Sequence, residues 1–160
     1  MKKEQIQTNY STFSSIEELE SDEQLVINKA IQMLDAVYAP YSGFYVGAAC
    51  MTLSENIYGG CNQENASYPL CICGERVALA NAGSYEPRTG IKILAVVTHN
   101  PKNPVNTPAS PCGACRQVLA EYVQRHKQDF VVLLKGDTDL IYKIESVSDL
   151  LPLAFDADFL

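Results

Sequence analysis

Two short cysteine clusters constrain this chain more than any other feature. One is Cys71-Ile72-Cys73-Gly74-Glu75-Arg76, the other Pro111-Cys112-Gly113-Ala114-Cys115-Arg116-Gln117. A Cys-x-x-Cys pair on the first turn of a helix sets both sulfurs on one side, within reach of one metal ion. Thiolates are soft ligands, and tetrahedral zinc accepts them at ~2.3 Å. Two thiolates do not complete a site, so a further donor must come from a distant stretch. Cys73, also at a predicted helix start, supplies the third. The fold must then bring the starts of two helices together around one Zn2+ ion. With three protein ligands the fourth position can hold water, which is the catalytic rather than the structural arrangement.

Glu75 gives the vacancy a use. It stands two residues from Cys73, so its carboxylate can sit beside the open position and move protons from a water to a nitrogen leaving group. Cys71 competes with Cys73 as a ligand; Cys73 is preferred because of its spacing to this glutamate. Three thiolates and Zn2+ carry a formal charge of −1, which works against an acidic water. Helix N-termini offset that charge, and Arg76 and Arg116 are placed to hydrogen-bond the thiolates. Cys50 and Cys61 fall on predicted strands and read as core residues. His99 and His126 belong to no cluster and read as solvent-facing or structural.

The rest of the chain reads as a single domain, 1–160, with an acidic extension over 1–20 and a proline-rich loop over 100–111. Hydrophobic residues make up 47% and charged residues 19%, a balance that excludes disorder and charge-rich coiled coils. No run approaches the ~18–20 apolar residues that span a bilayer, and Met1-Lys2-Lys3-Glu4-Gln5 opens no signal peptide. The expectation is a cytoplasmic protein, in which clustered cysteines mean metal or catalysis rather than disulfides. Net charge is −7 with scattered basic residues, so neither a nucleic-acid polymer nor a membrane is expected as a partner.

Periodicity predicts a helix capped by Ser21, with Gln24 as capping-box partner, running to Ala39 before Pro40. The residues through Asn9 read as a mobile arm. Strands are predicted over 45–53, 57–61, 91–98, 130–134 and 140–144. Helices are predicted from Cys73, from Cys112, and over 146–151. The loop at 100–111 contains Pro101, Pro104, Pro108 and Pro111. It leads into the second metal helix, so it is expected to border the pocket or a subunit interface, as a stiff excursion rather than a lid.

The spacing Cys73-x-Glu75 followed by Pro111-Cys112-x-x-Cys115 resembles the zinc-dependent nucleobase deaminase signature, with cysteine in place of histidine. Further stretches narrow the resemblance: residues 41–49 (YSGFYVGAA), 60–69 (GCNQENASYP), 111–119 (PCGACRQVL) and 150–155 (LLPLAF) are similar to the small homotetrameric cytidine deaminases. It runs from about Leu25 to about Phe155. It implies an α/β fold: a three-layer α/β/α sandwich with a mixed sheet of about five strands. It implies hydrolysis of cytidine or 2′-deoxycytidine to the uridine nucleoside and ammonia, as in pyrimidine salvage, with one zinc per subunit.

Carried over residue by residue, Cys73, Cys112 and Cys115 hold the metal and Glu75 shuttles protons. Phe44 stacks on the pyrimidine, and Asn62 and Glu64 hold sugar hydroxyls. Gly74 offers a backbone N–H to the base; the family has alanine there. Ala66 and Tyr68 reach a neighbouring subunit's pocket, and Phe155 closes over it. Rival readings are a deaminase of another small substrate, such as blasticidin S or a free base, a polynucleotide cytosine deaminase, a structural zinc module with no use for Glu75, and a redox dithiol at Cys112 and Cys115.

Overall fold

The computed structural model describes residues 1–160. Six strands form one mixed sheet: β1 (Ser11–Phe13), β2 (Tyr45–Thr52), β3 (Ile57–Cys61), β4 (Ile91–His99), β5 (Val131–Lys135) and β6 (Ile141–Ile144), in the order β1-β6-β5-β4-β2-β3. Only β4 and β5 run parallel; every other pairing is antiparallel. Three helices cover the sheet: α1 (Ser21–Gln32), α2 (Gly74–Tyr85) and α3 (Gly113–His126).

Alternation along β4 decides which helix lies on which face. Leu94 and Val96 point into a core shared with Ala78, Leu79 and Ala82 of α2 and Leu119 and Tyr122 of α3. Ile93, Ala95 and Val97 point the other way, against Val26, Ile27 and Ala30 of α1. A central strand buried on both faces reads as a continuous apolar run for this reason. Burying an Ile or Val side chain contributes about 1.5–3 kcal/mol, and Val26 and Ile27 are fully buried. The result is the three-layer α/β/α arrangement. Glycines set the close approaches: a Cβ at Gly47 would strike the Ala30 carbonyl of α1, and one at Gly60 would strike the Ala78 amide of α2.

The sheet has six strands rather than about five, because the N-terminal segment contributes β1. Ser11, Thr12 and Phe13 pair with Lys143, Tyr142 and Ile141 of β6. Thr8 donates to the Asp149 carbonyl at 3.1 Å, and Tyr10 packs on Tyr142. Of the residues through Asn9, expected as a mobile arm, Thr8 bonds to the body of the protein, and the fastened strand begins beyond them at Ser11. Helix α1 is capped by Glu20 rather than Ser21, with the Glu23 carboxylate accepting from the Glu20 N–H. It ends at Gln32 and continues only as a 3-10 turn over Met33–Ala36. Tyr38 is extended instead, because its N–H donates to Asn62 O and its carbonyl accepts from Glu64 N. The element near the C-terminus is a short 3-10 turn, Val147–Asp149. No helix is long and apolar enough to cross a membrane.

Candidate functional site

Helices α2 and α3 begin next to each other. Cys73 is the N-cap residue of α2 and Cys112 that of α3, and Cys115 lies on the first turn of α3. The Cys112 and Cys115 sulfurs are 3.5 Å apart, and those of Cys73 and Cys112 are 3.9 Å apart. All three lie within 4.8 Å of one another. Thiolates at ~2.3 Å from a tetrahedral zinc ion sit about 3.8 Å from each other. The donor set therefore fits Zn2+ in softness and in spacing. The free N–H groups at both helix starts favour negative sulfur. The Cys73 thiol is drawn down to about 7, chiefly by the hydrogen bond from the Cys115 thiol. The same bond holds the Cys115 thiol up.

Glu75 follows on the first turn of α2 and is buried, at 4% exposure. Its Oε2 is sealed from solvent and has no hydrogen-bond partner. An orphaned carboxylate oxygen beside three sulfurs is expensive unless the site gives it something to bind. Burial pushes its carboxyl above the usual range, with its own backbone N–H, Cys115 and the charge of Arg76 acting against that.

A cavity of about 330 Å³ joins this corner to the loops around it. Its lining includes Cys73, Glu75 and Cys112 together with Phe44, Asn62 and Glu64. The size falls at the low end of small-molecule pockets, about 300–1,000 Å³. A second hollow, lined by Tyr41, Ser42, Glu64, Tyr68 and Cys71, continues from it and shares Ser42, Glu64 and Cys71. Neither hollow is lined by a lysine, arginine or histidine.

Asn62 and Glu64 are already half engaged. Asn62 Oδ1 accepts from Val46 N–H and its Nδ2 donates to Phe44 O, both at 2.9 Å. One Nδ2 hydrogen is left over. Glu64 Oε2 accepts from the Tyr41 and Ser42 N–H groups at 2.8 and 3.2 Å, leaving Oε1. Burial works to raise the Glu64 carboxyl, but the Ser42 hydroxyl and these two N–H donors hold it below the usual range. Gly74 is pressed against β2, where a Cβ would come 2.8 Å from the Val46 carbonyl, so alanine would require β2 to shift.

Other residues from the sequence reading fall elsewhere. Arg116 does not reach a sulfur: its guanidinium donates to the Pro111 and Leu150 carbonyls, at 2.8 Å each. It braces the start of α3 through the backbone. Arg76 acts on Cys73 and Glu75 by charge. Cys71 is tied to Asn65, its Sγ accepting from Asn65 N–H at 3.2 Å, and stays outside the sulfur cluster. Ala66 is exposed and does not line the cavity. Tyr68 lines only the second hollow. Phe155 lies outside both, stacked on Phe159 with its carbonyl held by Gln117. Cys50 and Cys61 are buried, and burial pushes the Cys50 thiol up to about 12. Thr98, Ala109 and Ser110 line the cavity although no motif marks them. Their only signal is position, at the end of a strand and just before the second cysteine cluster.

Comparison with known proteins agrees with this geometry. The family profile described as the cytidine and deoxycytidylate deaminase zinc-binding region matches residues 20–131. The cytidine deaminase of Halalkalibacterium halodurans is 42% identical over 137 residues, 86% of this chain and 96% of that protein. The cytidine deaminase of Sporosarcina psychrophila is 39% identical over 137 residues, covering 86% and 93%. Among solved structures, the cytidine deaminase of Burkholderia pseudomallei matches with a TM-score of 0.70 and 41% identity over 82% of this chain and 97% of that one. The cytidine deaminase of Mycobacterium tuberculosis matches with a TM-score of 0.67 and 28% identity over 86% and 99%.

Proposed function

The chain belongs to the cytidine deaminase family, and from that premise we propose which of its residues carry the reaction and how it assembles. The activity is zinc-dependent hydrolytic deamination of cytidine. Water adds at C4 of the pyrimidine, the C4–N4 bond breaks, and uridine and ammonia leave. The observation that carries the reading is the orphaned Glu75 oxygen beside three converging sulfurs, at a cavity lined by Cys73, Glu75 and Cys112.

Cys73, Cys112 and Cys115 hold one zinc ion per subunit. Bound there, zinc supplies the Lewis acidity that makes a water nucleophilic near neutral pH. Glu75 takes a proton from the attacking water and delivers it to N3 of the base, then takes the remaining proton of the hydroxyl added at C4 and passes it to the departing amine. Phe44 stacks on the ring. The spare Asn62 N–H and Glu64 Oε1 bind sugar hydroxyls, so a free base leaves them unpaired and is disfavoured. Gly74 presents its N–H to the base at the start of α2. The same cavity serves cytidine and 2′-deoxycytidine. No lysine, arginine or histidine lines either hollow to receive a 5′-phosphate, which favours the unphosphorylated nucleoside.

The chain acts as one catalytic domain over 1–160 and assembles as a homotetramer in the cytoplasm, where thiol ligands stay reduced. Exposed aromatic and apolar residues beside the pocket support the assembly: Tyr68 and Leu70 are 68% and 67% exposed. Ala66, Tyr68 and Phe155 then serve a neighbour's pocket.

The test follows the absorbance loss of cytidine with purified enzyme. Turnover is expected with the metal present and is abolished by chelation and restored by Zn2+. Glu75→Gln should stay folded and zinc-loaded while kcat falls by about 10²–10⁴. A fully active Glu75→Gln enzyme would overturn the assignment.

A further inference from the structure

Residues 100–111 form no helix or strand, yet their last members, Ala109 and Ser110, make part of the cavity wall beside Cys112. Something outside the loop must hold that wall, since twelve irregular residues have ample freedom of their own. Arg116 holds the loop's last residue through the Pro111 carbonyl, and the middle of the loop is held by one turn, Gly136–Asp139, between β5 and β6.

Asp137 is the hub. Its Oδ2 accepts from Val105 N–H at 2.7 Å and Asn100 N–H at 3.4 Å, and its Oδ1 meets His99 Nδ1 at 2.5 Å. In return the Asp137 N–H donates to Val105 O at 2.7 Å, so residue 105 is gripped by both its N–H and its carbonyl. Thr138 Oγ1 adds a bond to Asn106 O at 3.1 Å. The turn can come this close because residue 136 is glycine; a Cβ there would run into the Val105 carbonyl. Burial alone would raise the Asp137 carboxyl, but His99 and the two N–H donors hold it below its usual range. From the fixed point at Val105 only a short run remains before the wall. Pro108 and Pro111, both buried, restrict that run further.

We propose that Asp137 is a positioning residue for substrate binding: through Val105 it sets the place of the Ala109–Ser110 wall without touching the nucleoside. The inference rests on the deaminase reading of the cavity. Both backbone donors share Oδ2, so an asparagine could keep them and turn its amide toward His99; removing the side chain is what releases the Val105 N–H.

The experiment uses full-length, zinc-loaded enzyme at a temperature where circular dichroism shows each variant folded. For Asp137→Ala, which removes the acceptor for both backbone N–H groups, KM for cytidine should rise about five- to twentyfold while kcat stays within twofold and zinc content stays unchanged. Thr138→Val, which removes only the hydroxyl bond to Asn106, should raise KM about two- to threefold, again without changing kcat. An Asp137→Ala enzyme that melts earlier but keeps its KM within twofold makes Asp137 a structural brace and overturns the proposal. If Asp137→Ala does not fold, Thr138→Val decides by the same split: an unchanged KM overturns the proposal. Failure of the deaminase reading would look different, since wild-type enzyme would then not turn over cytidine at all.

Discussion

The Asn62 side chain works in two directions. It clasps the backbone on either side of Tyr45 through Val46 N–H and Phe44 O, and it keeps one N–H for the cavity. Asn62→Ala would leave a buried donor and an acceptor unpaired, at about 1–3 kcal/mol. The expected outcome is a thermal midpoint lowered by about 3–10 °C together with a KM for cytidine raised at least tenfold. A variant with wild-type melting would show that the clasp contributes nothing. The chemistry of this corner was legible in the sequence because cysteine spacing and a neighbouring glutamate have few other uses. The clasp was not, because its partners lie 16 and 18 residues away. Arg116 is the same lesson with the opposite result. Adjacency to Cys115 pointed to sulfur, but the Pro111 and Leu150 carbonyls claim the guanidinium.

Elements whose own periodicity is strong match the sequence reading within a residue or two at most of their ends. For β2 and β4 and the two metal helices, burial on one or both faces writes the pattern into the residues themselves. Elements made by their partners do not show in this way. Strand β1 is three residues long with no alternation to speak of; it is a strand because β6 offers a free edge. The end of α1 is likewise set from outside, by the loop at 62–64 drawing Tyr38 into extended pairing. Removal of residues 1–13 therefore has a defined cost. It uncovers β6 as a bare edge and removes the Tyr10–Tyr142 contact and the Thr8 bond to Asp149. The truncated chain should melt about 3–6 °C lower and aggregate more readily, as followed by calorimetry and light scattering. Its kcat should remain within twofold, because no residue of the arm lines the cavity. A large loss of kcat in the folded truncated enzyme would mean that the arm reaches the chemistry.

At the scale of the whole molecule, exposed aromatic residues stand at the second hollow and on the C-terminal tail. Tyr41 and Tyr68 meet edge to face across the second hollow, and Phe155 is 58% exposed and outside its own subunit's cavity. The Gln117 bond to its carbonyl fixes the tail against α3, and its ring stacks on Phe159 of the same tail. The proposed tetramer makes this economical: each subunit supplies the sulfurs and Glu75 for its own site and an aromatic ring for another's. That division of labour can be tested by mixing two damaged chains. Glu75→Gln lacks the proton carrier but has Phe155; Phe155→Ala has the carrier but lacks the ring. Each should be impaired as a homotetramer of about 70 kDa, four copies of 17.6 kDa. Unfolded and refolded together with Zn2+, they should regain activity above the sum of the two alone. Some sites would then combine an intact Glu75 from one chain with a Phe155 from its neighbour. If each pocket were closed by its own Phe155, no mixed assembly could contain an intact site. The mixture would then only average its components.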